Sequence, residues 1–186
     1  MRVIAGSAKG HRLQAPVGLD TRPTVDRIKE SLFNIIGFDI AMCRFLDLFS
    51  GSGAIGIEAL SRGAVSAVFI EQSPVATKSI YENLQRTKLQ DRAFSYQEDV
   101  LKVLHKLEER GQQFDIIFMD PPYDYLLFES VLVGILEHNL LDQQGYIIVE
   151  HSTTCTLTIP PSLHIWKQKI YKTTTMSFLT LQEENV

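Results

Sequence analysis

Five short apolar runs recur along the chain, separated by stretches in which apolar residues return every three or four positions. That alternation restricts the fold more than any composition figure does. Phe45-Leu46-Asp47-Leu48-Phe49, Ala67-Val68-Phe69-Ile70-Glu71, Ala93–Gln97, Phe114–Met119 and Gly145–Glu150 read as strands. Between them, Ala54–Arg62, a segment from Pro74 to about Thr87, one carrying Val100, Leu104 and Leu107 on a single face, and about 125–138 read as helices. Strand and helix alternating at this spacing call for a mainly parallel sheet covered on both sides. Phe114–Met119 shows no period-2 alternation and is expected to be buried on both faces. After Pro160-Pro161 the rhythm changes: His164–Tyr171 and Met176–Leu181 follow one another with no helix between, which predicts an antiparallel pair.

The beginning of the chain departs from this pattern. Arg2–Leu13 is β-compatible on either side of Gly6-Ser7-Ala8-Lys9-Gly10 and reads as a small hairpin. Pro16 and Gly18 break it. Val25, Ile28, Leu32, Ile35 and Ile36 then fall at helical spacing, which predicts an amphipathic helix over about residues 24–37 with Arg27 and Lys29 on its outer face. Charge is unevenly spread. Residues 1–30 hold six Lys/Arg against three acids, a net of +3, whereas the whole chain is −4, leaving −7 on the rest. A basic arm on an acidic body suits a partner that brings phosphate to one end.

With 186 residues, 45% hydrophobic and 22% charged, the chain is long and apolar enough for one ordinary core, which excludes disorder, collagen and coiled coil. No apolar run reaches the length of a membrane span and Met1–Gly6 is too short for a signal peptide, so a cytoplasmic protein without a membrane partner is expected. Cys43 and Cys155 are far apart without Cys-x-x-Cys spacing, so they are expected to be ordinary core thiols, and no metal is expected.

Three motifs carry chemistry. Gly51-Ser52-Gly53-Ala54-Ile55-Gly56 matches G-x-G-x-x-G directly after a strand and at the opening of a helix, where main-chain N–H groups are free to meet a ligand. Glu71, 20 residues after Gly51, ends the next strand, where a carboxylate binds ribose hydroxyls. A nicotinamide dinucleotide and S-adenosylmethionine both satisfy that pairing. Asp47, just before the glycines, favours the second, since a carboxylate repels pyrophosphate and attracts a sulfonium and an amino group. Glu98-Asp99 ends the third strand; its carboxylate suits an adenine amino group and the Val100 N–H the ring, although helix capping by Asp99 serves equally. The sharpest signal is Asp120-Pro121-Pro122-Tyr123 after the fourth strand. Two prolines remove two donors and stiffen the chain, leaving carbonyls as acceptors. With Asp120 and a proline carbonyl accepting both hydrogens of a planar NH₂ group and Tyr123 stacking on its ring, the nitrogen lone pair turns toward an electrophilic carbon.

Together, Leu46-Asp47-Leu48-Phe49-Ser50-Gly51-Ser52-Gly53, Glu71 and Asp120-Pro121-Pro122-Tyr123 resemble the class I S-adenosylmethionine-dependent methyltransferases that modify exocyclic or amide nitrogens. Arg2-Val3-Ile4-Ala5-Gly6, Lys9-Gly10-His11-Arg12-Leu13 and Arg22-Pro23-Thr24-Val25-Asp26-Arg27-Ile28-Lys29-Glu30 extend the likeness to the opening of the RsmD family, enzymes that methylate guanine N2 in bacterial 16S rRNA. The resemblance implies a Rossmann-like α/β fold: a seven-stranded, mainly parallel sheet with an antiparallel C-terminal hairpin, plus a small N-terminal hairpin-and-helix extension. It implies an RNA-contacting extension over 1–40 and a donor-binding domain over 41–186. Donor contacts fall on Asp47, Phe49, Ser50, Gly51, Gly53, Glu71, Gln72, Asp99 and Val100, and catalytic ones on Asp120, Pro121, Pro122 and Tyr123. Lys9, Arg12, Arg22 and Arg27 are the expected phosphate contacts. The implied cofactor is S-adenosylmethionine, leaving as S-adenosylhomocysteine, and the implied partner of a monomeric enzyme is 16S rRNA or the small ribosomal subunit. DNA adenine or protein glutamine methylation, a dehydrogenase, and a non-catalytic rRNA-binding assembly module are the competing readings.

Overall fold

A computed structural model of the chain describes residues 1–15, 23–122 and 128–182. Arg22, Tyr123 and the last four residues lie outside the described residues. The chain forms two compact units, Met1–Asp99 and Val100–Val186.

In the first unit, Arg2 and Arg12 make one antiparallel bridge, and Val3 N donates to His11 O at 3.0 Å and Gly10 N to Val3 O at 2.9 Å. The expected hairpin is thus a tight turn closed by few bonds. Helix α1 (Pro23–Ile36) follows, stopped by Gly37 in the left-handed region (φ 60°). Strand β1 (Arg44–Asp47), helix α2 (Ala54–Ser61), strand β2 (Ser66–Ile70), helix α3 (Pro74–Thr87) and strand β3 (Ala93–Tyr96) complete the unit. Ser73 caps α3 by accepting from Ala76 N, with Pro74 as the first helical residue. β1 and β3 both pair with β2 in parallel, so all three end at one edge. α2 is apolar almost all round because it is buried almost all round.

The second unit holds helix α4 (Val100–Glu109), strand β4 (Phe114–Met119), helix α5 (Phe128–Glu137) and strands β5 (Leu141–Ser152), β6 (Leu163–Ile170) and β7 (Thr174–Leu181). β4 pairs with β5 in parallel, and β7 runs antiparallel to both β5 and β6. β4 is buried at five of its six positions, as its unbroken apolar run predicts. Among the described residues the seven strands follow the order β3-β2-β1 in the first unit and β4-β5-β7-β6 in the second.

Two sequence expectations need correction. Lys29 is not on the outer face of α1: it is 1% exposed and ion-paired with Glu58 at 3.1 Å. The free charge of the N-terminal segment is therefore smaller than the composition indicates. Cys43 is a buried core thiol, but Cys155 is only half-buried, in the connection between β5 and β6.

Candidate active site

The carboxyl ends of β1 and β2 are tied together by backbone and side-chain bonds. Ser50 N donates to Ile70 O at 3.0 Å, and Gly53 N to Ser50 O at 2.7 Å, folding the glycine segment back over the sheet edge. Gly53 (φ 77°) is the N-cap of α2, in a conformation that a side chain disfavours. Gly56 has a different reason to be glycine. A Cβ there would fall 2.3 Å from Phe69 Cε1, so its absence lets α2 lie directly on β2.

Two acids hold the glycine loop. Glu71 reaches into the glycine loop: Oε2 accepts from Gly51 N at 2.9 Å and Oε1 from Ser73 N at 2.8 Å. Each oxygen keeps a second lone pair for a ligand hydroxyl. Asp47 is 1% exposed, and its Oδ2 accepts from Gly56 N at 3.1 Å. The carboxylate is thus turned into the first turn of α2, where it answers the helix dipole and stiffens the loop. Phe49 is half-buried and Ser50 buried, its hydroxyl donating to Asp47 O at 2.8 Å. Gln72 and Asp99 are exposed, beyond the ends of β2 and β3.

The donor set suits S-adenosylmethionine. Nothing lies within 4 Å of where a Gly51 Cβ would stand, so the loop presents bare main chain beside the Glu71 carboxylate.

Asn83 was not legible as a site residue. On α3 and fully buried, it donates from Nδ2 to Ser52 O and Gln14 O, both at 2.9 Å, and accepts from Gln14 N at 2.8 Å. One amide thus joins the glycine loop to the end of the N-terminal segment. Glu58 does the same from α2. Its oxygens accept from Ile4 N at 2.8 Å, Ala5 N at 3.0 Å and Arg62 Nε at 2.8 Å, besides pairing with Lys29, whose Nζ donates to Arg2 O at 2.6 Å. A lone acid in the apolar run Ala54–Ser61 is the one sequence signal for it. Lys9, Arg12 and Arg27 are exposed, the first two on the turn that Glu58 anchors.

In the second unit, β4 delivers Asp120, Pro121 and Pro122 at its carboxyl end. Pro121 is buried, whereas Pro122 and Asp120 reach solvent. Since Met119 pairs with Val149, Asp120 and Glu150 come next to each other on adjacent strands. Burial raises the Asp120 carboxyl from 3.8 to about 7. Burial, and then the Asp120 charge, raise Glu150 from 4.5 to about 8. Val100, an expected donor contact, is the buried first residue of α4. His151, the residue after Glu150, is also buried; its Nε2 lies 2.9 Å from Ser177 Oγ, and burial lowers its pKa.

The family model described as conserved hypothetical protein 95 matches residues 1–180. YlbH of Bacillus subtilis (strain 168) is 43% identical over 151 residues, covering 81% of this chain and 82% of that protein. The ribosomal RNA small subunit methyltransferase D of Haemophilus influenzae is 34% identical over 170 residues, covering 91% and 88% of the two chains. Among solved structures, YhhF of Escherichia coli superposes with a TM-score of 0.84 at 28% identity, over 99% of either chain. Matched by that family model over nearly its whole length and by a relative 34% identical across most of both chains, this chain belongs to the RsmD family.

Proposed function

We propose that this chain transfers a methyl group from S-adenosylmethionine to the exocyclic N2 of a guanine in 16S rRNA of the small ribosomal subunit. The observation that carries the proposal is Asp120-Pro121-Pro122 at the end of buried β4, with Asp120 open to solvent and two successive residues lacking N–H groups. Relatives at 34% and 31% identity named for small-subunit rRNA methylation support the substrate class.

When bound, S-adenosylmethionine supplies an electrophilic methyl group. Glu71 binds its ribose hydroxyls, with Asp47 positioning the glycine loop and Phe49, Ser50, Gly51, Gly53, Gln72, Asp99 and Val100 forming the remaining contacts. Asp120 accepts one N–H of the guanine amino group and the Pro121 carbonyl the other, which aims the nitrogen lone pair away from the ring plane. Tyr123 stacks on the base. The target nucleotide leaves its helix to reach this edge. As nitrogen would take the methyl carbon from sulfur, with the S–C bonding pair leaving on S-adenosylhomocysteine, the surplus proton on nitrogen would pass to Asp120, whose raised pKa suits a base at neutral pH. Lys9, Arg12, Arg22 and Arg27, on the extension over residues 1–40, hold phosphates, and residues 41–186 carry the chemistry. The enzyme works as a monomer in the cytoplasm.

The test incubates the protein and methyl-labelled S-adenosylmethionine with undermethylated small subunits, free rRNA, DNA and protein in parallel, followed by nucleoside mass analysis. N2-methylguanosine in 16S rRNA is the expected product. Label in DNA adenine or protein glutamine would overturn the substrate, and rRNA binding without turnover would leave only an assembly factor.

A further inference from the structure

We propose that His105, Glu108 and His138 form a binding site for a divalent transition metal ion of the zinc, cobalt or nickel type, which staples α4 to the end of α5. The ligands come from two segments separated by β4, so no short sequence spacing announces them. His105 and Glu108, three residues apart on α4, share a helix face, and His138 follows the last residue of α5. Their ligand atoms all lie within 4.8 Å of one another. Glu108 Oε2 is 2.7 Å from His138 Nδ1 and 3.5 Å from His105 Nδ1, so both imidazoles already converge on one carboxylate oxygen.

Ligands about 2.0–2.2 Å from a tetrahedral ion stand roughly 3.3–3.6 Å apart. Side-chain rotation closes the remaining gap, because His105 and Glu108 are 62% and 44% exposed. α4 and α5 are in contact, and Gly134 permits a close approach: a Cβ there would fall 2.8 Å from Leu104 Cδ1, beside His105. Two imidazoles and a carboxylate select borderline metals over magnesium or calcium, which prefer all-oxygen shells. Glu109, 3.5 Å from His105 Nε2, adds further negative charge. On binding, the Nδ1–H of neutral His138 is exchanged through solvent for an Nε2–H, so nitrogen–metal and oxygen–metal bonds replace the His138–Glu108 hydrogen bond with no net proton release.

The competing explanation is a surface His–Glu hydrogen bond with no ion, and titration of the untagged full chain separates the two. Calorimetry with zinc is expected to show one ion per chain, and cobalt to give visible d–d bands without thiolate charge transfer. His138→Ala and Glu108→Gln are each expected to weaken binding at least ten-fold, whereas His164→Ala, on exposed β6, leaves it unchanged. Zinc is expected to raise the melting temperature of the native chain and not that of a His105→Ala/His138→Ala double variant. Equal zinc affinity in native and double variant, absence of stoichiometric binding, or thiolate bands from Cys43 or Cys155 would each overturn the site.

Discussion

Glu58 illustrates what one buried charge does to the surrounding chain. Its carboxylate is fully buried and holds Lys29, Arg62 and two backbone amides. Glu58→Ala leaves Lys29 buried without its counter-charge and should cost about 3–5 kcal/mol in urea denaturation. The paired change Glu58→Leu with Lys29→Met should recover a large part of that loss, whereas simple loss of helix packing would leave the double variant no better. Gly56→Ala presses a methyl onto the Phe69 ring and is expected to cost about 1–3 kcal/mol by the same measurement. Asp120 and Glu150 set the pH response. Both carboxyls titrate higher in the folded than in the unfolded chain, so the native state binds more protons between about pH 4 and pH 8. Their contribution to stability therefore falls as pH rises through that window and is flat above it. Glu150→Gln is expected to reduce the fall between pH 5.5 and 8.5; an unchanged slope would mean that the pair is not its source. For methyl transfer the sign is opposite, since Asp120 can take up the surplus proton only when ionised. The rate should rise with pH toward about 7, and Asp120→Asn should lose at least about a hundred-fold in single-turnover assays.

At the scale of elements, the sequence was legible wherever local signals and burial agreed. The β4 run, the Ser73-Pro74 opening of α3 and the tight β6–β7 connection all formed as expected, because capping, proline and apolar periodicity act within a few residues. β5 runs from Leu141 to Ser152, well beyond the apolar stretch from Gly145 to Glu150. Its extra residues are fixed by pairing with β4 and β7, at Leu141 opposite Phe114 and Ser152 opposite Thr174, which no local pattern encodes. Lys29 was misread for a related reason. Helical spacing says which residues share a face, and only the acid on α2 decides that a lysine turns inward. In the site, the glycines, Glu71 and Asp120 were visible as motifs; Asn83 and Glu150 were not, since their roles arise from segments distant in sequence. Asn83→Leu removes three hydrogen bonds between α3, Gln14 and the glycine loop. Faster amide hydrogen exchange at Gln14 is expected, with weaker donor binding and unchanged secondary structure by circular dichroism; protection equal to native would remove Asn83 from the loop's support.

For the whole molecule, charge distribution says more than net charge. The −4 total would argue against an RNA partner if it were evenly spread, yet Arg2, Lys9, Arg12 and Arg27 are all exposed near the start of the chain. Neutralising Lys9, Arg12 and Arg27 together should lower the slope of log affinity against log salt for rRNA by about two to three, while leaving donor binding unchanged. An unchanged slope would move the RNA footprint elsewhere. Among the described residues no helix is long and apolar enough to cross a membrane. The Glu58 anchor also bears on how such a chain can diverge. An ion pair sealed between α1 and α2, with both partners at or below 1% exposure, cannot be altered one residue at a time without an intermediate that folds poorly. In an alignment of relatives, positions 29 and 58 should therefore covary, keeping lysine with acid or exchanging both for apolar residues. The exposed positions 9, 12 and 27 carry no such buried partner and are expected to vary singly.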